Sequence, residues 1–265
     1  MKHVSLEISS STGIIVLIIL APSLLLYLSW TAFIDLNLSG TGIGGAKLLK
    51  TVPLADVEET LAQFETSLAP FIQDVSTEQV KAFNRGVRTS LIGAFLVTSV
   101  LTALTFGKAL STGTIIYDIG LVRDKKKVFF HRIAPLILYS FFLSSILTIG
   151  LAAIFPLTGV KALKSNLVLL LLVMALSSLW GVFLSATLSA TSREYAYSIL
   201  VSFLVASIFL TSENVGDLVF PFFRLLAWSS TSGQIPLGKW GLIGTTLFAV
   251  SPALSLKAFE RGDYY

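Results

Sequence analysis

The chain has 265 residues, 54% of them hydrophobic and 13% charged, with a mean hydropathy of +0.82. Soluble domains carry about 25% charged residues, so this chain cannot clothe itself in a water-facing surface, and lipid must solvate much of it. Its formal charge of +4 is spread along the chain, not pooled on one domain, which argues against nucleic-acid binding. The absence of cysteine excludes disulfides, zinc–thiolate centres and thiol nucleophiles.

A membrane-crossing helix needs about 20 apolar residues. In chain order, candidate spans cover residues 13–34, 89–106, 133–157, 166–190, 195–210 and 240–256, the last two being short and drawing on flanking residues. The first is read as a retained span. Its apolar part exceeds the ~7–15 residues of a signal core, and no A-x-A site follows. Residues 35–88 read as an extracellular helical insertion within a single transmembrane domain covering 1–265. It opens on the turn Gly40 to Gly45. Leu54, Val57, Leu61, Phe64 and Leu68 then follow Pro53 at helical spacing, and Ser76 with Gln79 forms a capping box for a second helix. The formal G-x-G-x-x-G at Gly40 follows a span, not a strand, so it reads as a flexible membrane exit, and no P-loop is present. Asn37 opens an N-glycosylation sequon close to the bilayer, read as unmodified.

Between the second and third spans lies STGTIIYDIGLVRDKKKVFFHR, residues 111–132. It reads as a short, partly apolar helix followed by a basic cluster of Lys125, Lys126, Lys127 and Arg132, suited to a membrane surface carrying anionic headgroups. Residues 213–238 are apolar but broken by Pro221 and Pro236. With Phe222, Arg224 and Trp228 they read as a re-entrant or interfacial segment before the last span. The dense basic run from Arg123 to Lys127, on a short loop, places that loop and both termini in the cytoplasm by positive-inside bias.

None of the six apolar cores contains Asp, Glu, Lys, Arg or His, which argues against a proton- or ion-coupled transporter. Two histidines, His3 and His131, are too few for a histidine metal cluster. No H-E-x-x-H is present, so an intramembrane metalloprotease is also disfavoured. The spans instead carry small and hydroxyl residues, including Ser177, Ser178, Gly181, Ser185, Ala186 and Ser189, then Ser198, Ser202, Ala206 and Ser207, the composition of close helix packing. The expected fold is an all-α membrane protein of six transmembrane helices with cytoplasmic termini.

In this layout the chain resembles an ABC-2 type transporter permease, the membrane subunit of an ABC exporter. The resemblance rests on six spans with both ends inside, on Gly113-Thr114 opening a short helix that leads through Leu121-Val122-Arg123 to a basic run, on the broken apolar segment before the last span, and on the ending ALSLKAFER at 253–261. The acidic residue often found before the glycine–threonine pair and the proline before the arginine are absent. The resemblance implies a permease that forms the substrate path, is not itself an enzyme, and lies in the cell membrane as a multi-pass protein. It would pair with a second copy or a paralogue. It holds no cofactor in this chain, and ATP and Mg would be bound by a separate cytoplasmic ATPase subunit. Gly113, Thr114, Ile115, Ile116, Tyr117, Asp118, Ile119, Leu121 and Arg123 would form the coupling helix seated on that ATPase. A non-transporting six-span scaffold or sensor is the alternative.

Overall fold

The computed structural model describes residues 14, 18–28, 31, 87–154, 167–211 and 239–262. Among these, every regular element is helical: α1 (Ile18–Leu28), α2 (Val87–Ser111), α3 (Ile115–Val122), α4 (Lys125–Ile154), α5 (Leu167–Ser192), α6 (Tyr195–Thr211) and α7 (Lys239–Arg261). Helices α2, α4 and α5 are each long and apolar enough to cross a membrane. At 1.5 Å per residue the 30 residues of α4 extend about 45 Å, longer than a ~30 Å hydrocarbon core is thick by roughly the length of its basic first turns. The expected insertion at 35–88, apart from Val87 and Arg88, and the expected re-entrant residues Pro221, Phe222, Arg224 and Trp228 lie outside the described residues.

The outward faces are apolar. Leu138, Phe141, Phe142 and Ile149 of α4 and Phe203 and Leu204 of α6 are all exposed. Side chains of this kind, apolar around the whole helix, suit a hydrocarbon solvent and would aggregate in water. The interior mixes apolar side chains with hydroxyls, with Ser90, Thr98, Ser99, Thr102, Ser140, Ser144, Ser177, Ser178, Ser185, Ser198 and Ser202 buried. Lipid offers no hydrophobic drive between helices, so small residues allow close approach and hydroxyls supply interhelical bonds.

Helix α5 is the hub and packs against α2, α4, α6 and α7. Its seam with α2 is a ladder of hydroxyl-to-carbonyl bonds running in both directions. Thr98 Oγ1 donates to the Ser178 carbonyl at 2.8 Å and Ser99 Oγ to that of Gly181 at 3.0 Å. Ser177 Oγ donates to the Leu91 carbonyl at 3.2 Å and Ser185 Oγ to that of Ser99 at 2.9 Å. Gly181 makes the contact possible, because a Cβ there would collide with the Phe95 carbonyl and the Thr98 hydroxyl. On the other faces of α5, Ser178 meets Ser144 of α4 at 3.0 Å and Ser185 meets Ser198 of α6 at 2.7 Å.

Near its end, α2 widens into a π-turn over Ala103–Gly107, with the Lys108 N–H reaching the Ala103 carbonyl. Gly107 packs against Ser189 and Tyr195, where α5 passes into α6. A hydrophobic cluster closes this end of the bundle. Phe106, Phe129 and Phe259 meet with ring centroids 5.7 Å apart, joining α2, α4 and α7.

Candidate functional site

Every described loop or terminus at this end of the bundle carries basic residues. Lys108 belongs to the last turn of α2. Arg123, Lys125, Lys126, Lys127 and Arg132 flank or open α4, Arg193 lies between α5 and α6, and Lys257 and Arg261 finish α7. The carboxylates here are fewer: Asp118, Asp124, Glu194 and Glu260.

Across this end lies α3, one of the shortest helices described. Gly113 provides the turn into it with φ +74°, a conformation that costs glycine nothing, and Thr114 is its N-cap position. Thr114 Oγ1 reaches back to the Ala109 carbonyl at 3.3 Å. The helix ends at Arg123, which is left-handed at φ 54° and returns its N–H to the Ile119 carbonyl at 2.8 Å. Asp124 then starts α4, accepting from the Lys126 and Lys127 N–H groups as an N-cap carboxylate does. The short helix expected to open at Gly113-Thr114 begins at Ile115, because glycine at 113 makes the turn.

The two faces of α3 have different fates. On the inner face, Ile115 is fully buried in the same cluster as Phe106 and Phe129, with Ile119 packed against its edge. Asp118 Oδ2 accepts from Arg132 Nε at 2.9 Å and from Arg132 Nη2 at 2.5 Å. That pair bridges α3 to α4, with the Arg132 side chain 6% exposed and that of Asp118 24%. On the outer face, Tyr117 is 75% exposed and Leu121 77%, one helical turn apart, flanked by Ile116 and Gly120. The expected site residues therefore divide. Ile115, Asp118 and Ile119 hold α3 to its own bundle, whereas Ile116, Tyr117, Leu121 and Arg123 face outward.

The basic cluster also divides. Lys125 Nζ donates to the Glu260 and Gly262 carbonyls, both at 3.0 Å, and so secures the last turn of α7. Lys126 lies 3.7 Å from Glu260, while Lys127 pairs loosely with Asp124 at 3.9 Å. Both lysines are mostly exposed. Sequence reasoning missed the link from this elbow to α7, because it joins residues about 135 positions apart. The one signal in the sequence is that Phe106, Phe129 and Phe259 each stand within four residues of a basic span end.

Among the described residues there is no cluster of three or more His, Asp or Glu able to hold a metal ion. Comparison with protein-family models, with curated proteins and with solved structures finds no match. The functional reading therefore rests on the chain's own residues.

Proposed function

We propose that this chain is the membrane subunit of an ABC-2-type exporter, a permease that receives its driving force from a separate cytoplasmic ATPase through α3. In this reading α1, α6 and α7 complete a set of six spans with α2, α4 and α5, and the basic end faces the cytoplasm. The observation that carries the proposal is the two-sidedness of α3. Its inner face is clamped by Ile115 and by the Asp118–Arg132 pair, yet it presents Tyr117 and Leu121 outward at the end that carries most of the described cations. A helix that only plugged the bundle would bury its apolar side chains, and one that only rested in solvent would have none to present. An aromatic and a leucine one turn apart on a firmly held helix suit a groove on a soluble protein. Two routes lead from α3 into the spans. Arg132 passes a push on to α4, and Lys125 with the Phe106–Phe129–Phe259 contact passes it to α7.

The test places a photo-crosslinking amino acid at Tyr117 in the full chain and expresses it in the host membrane. The expected product joins the chain to an ATP-binding subunit, and Leu121→Arg should lower its yield about tenfold or more, as loss of an apolar anchor at an interface does. If the adducts contain only lipid or no ATPase, the non-transporting scaffold or sensor reading takes over.

A further inference from the structure

A second feature of the basic end is independent of α3. Where the last turns of α5 and α7 diverge, they leave an open groove of about 450 Å³. Arg193, Lys257 and Arg261 line it, with Leu254 at one wall, and among the described residues no carboxylate lines it. Glu260, the acid nearest in sequence on α7, turns instead to Lys126. Thr187 and Thr191 also line the groove, but their hydroxyls donate to carbonyls of their own helix, which leaves Lys257 and Arg261 of α7 as its main donors.

The groove continues into a track along α7. Ile243, Leu247, Val250 and Leu254 are all exposed, between 43% and 47%, and are spaced by four, three and four residues. The next steps of the same spacing are Lys257 and Arg261, both exposed. One helix face therefore runs apolar and then becomes cationic without a break. From Ile243 to Leu254 the rise is about 16 Å, close to the ~15 Å depth of one leaflet's hydrocarbon. Ser251 and Ser255 are buried on the opposite side of α7.

We propose that this groove and track form a binding site for one anionic phospholipid, its phosphate held by Lys257 and Arg261 and an acyl chain lying along Ile243, Leu247, Val250 and Leu254. Basic pockets between membrane helices at the cytoplasmic face hold anionic headgroups in this manner. The apolar track selects a lipid over free phosphate. The like charge of Lys257 and Arg261 on each copy disfavours a second copy of this chain on the same face.

The test uses the full chain, purified in detergent, stripped of lipid and examined by native mass spectrometry after adding phosphatidylglycerol, phosphatidylcholine or inorganic phosphate. One phosphatidylglycerol per chain should persist where phosphatidylcholine is lost, and millimolar inorganic phosphate should not displace it. The Lys257→Gln/Arg261→Gln pair should reduce occupancy about tenfold or more, on the scale of two cations near an anionic surface. The charge-keeping pair Lys257→Arg/Arg261→Lys and the distant pair Lys126→Gln/Lys127→Gln should retain it. Equal retention of both lipids, displacement by phosphate, or equal loss in the distant pair would overturn the proposal. A second measurement leaves the charges in place. Because the chain has no cysteine, Val250→Cys can carry a single fluorophore in vesicles, where brominated phosphatidylglycerol should quench it more than brominated phosphatidylcholine at equal mole fraction. Equal quenching, or disulfide-linked dimers through Val250→Cys, would overturn it as well.

Discussion

The Asp118–Arg132 pair shows what one buried charge demands of its neighbours. Arg132 is nearly sealed from solvent, so removing its carboxylate leaves a desolvated guanidinium with a weakened partner set, whereas Asp118 keeps some contact with water. Breaking a fully buried pair costs roughly 3–5 kcal/mol, and the partial exposure of Asp118 lowers the expectation for Asp118→Asn to about 1–3 kcal/mol. Thermal unfolding in detergent measures this loss. The double change Asp118→Leu/Arg132→Met should cost less than Asp118→Asn alone, because it removes both charges. At Gly181 the effect is steric. Gly181→Leu would drive a side chain into the Phe95 carbonyl, and the overpacking range of roughly 1–3 kcal/mol applies. Its readout is a lower unfolding midpoint together with loss of the α2–α5 approach, measured as a spin-label distance.

The long helices were legible in the sequence because their signal is local: an apolar run bounded by charge. The expected spans at 89–106, 195–210 and 240–256 fall within α2, α6 and α7, and that at 166–190 coincides with α5 from Leu167 on; the helices run past the expected ends by a few residues, since polar end residues continue a helix that hydropathy alone would stop. The expected surface run Lys125 to Lys127 is the first turn of α4, placed there by the Asp124 N-cap. The short helix after Gly113 was also legible, but its two faces were not. Tyr117 and Ile115 look alike in composition, and only the long-range meeting with Phe106, Phe129 and Arg132 separates outside from inside. The link from Lys125 to the end of α7 was invisible for the same reason. It yields a prediction for that element. Lys125→Met should leave the bundle folded but raise amide hydrogen exchange at Phe259 to Gly262, a local opening of about 1 kcal/mol from the lost charged hydrogen bonds.

For the whole molecule, orientation can be tested without disturbing the fold. In a cysteine-free chain, single replacements Tyr117→Cys, Arg123→Cys and Arg193→Cys should all react with a membrane-impermeant maleimide only after the cytoplasmic face is opened. Labelling of any one of them from outside in intact cells would invert the positive-inside assignment and with it the proposed route of the driving force.

The ladder between α2 and α5 bears on how such a molecule can move. Four hydroxyl groups reach across to carbonyls at matched heights, two from each helix. Sliding one helix past the other by a single turn would break all four interhelical bonds at once, leaving the hydroxyls only carbonyls of their own helix, as Thr98 already has in Ala94 and Phe95. These two helices therefore behave as one rigid strut. Any cycle of opening and closing must then be accommodated at boundaries with fewer such rungs than this one.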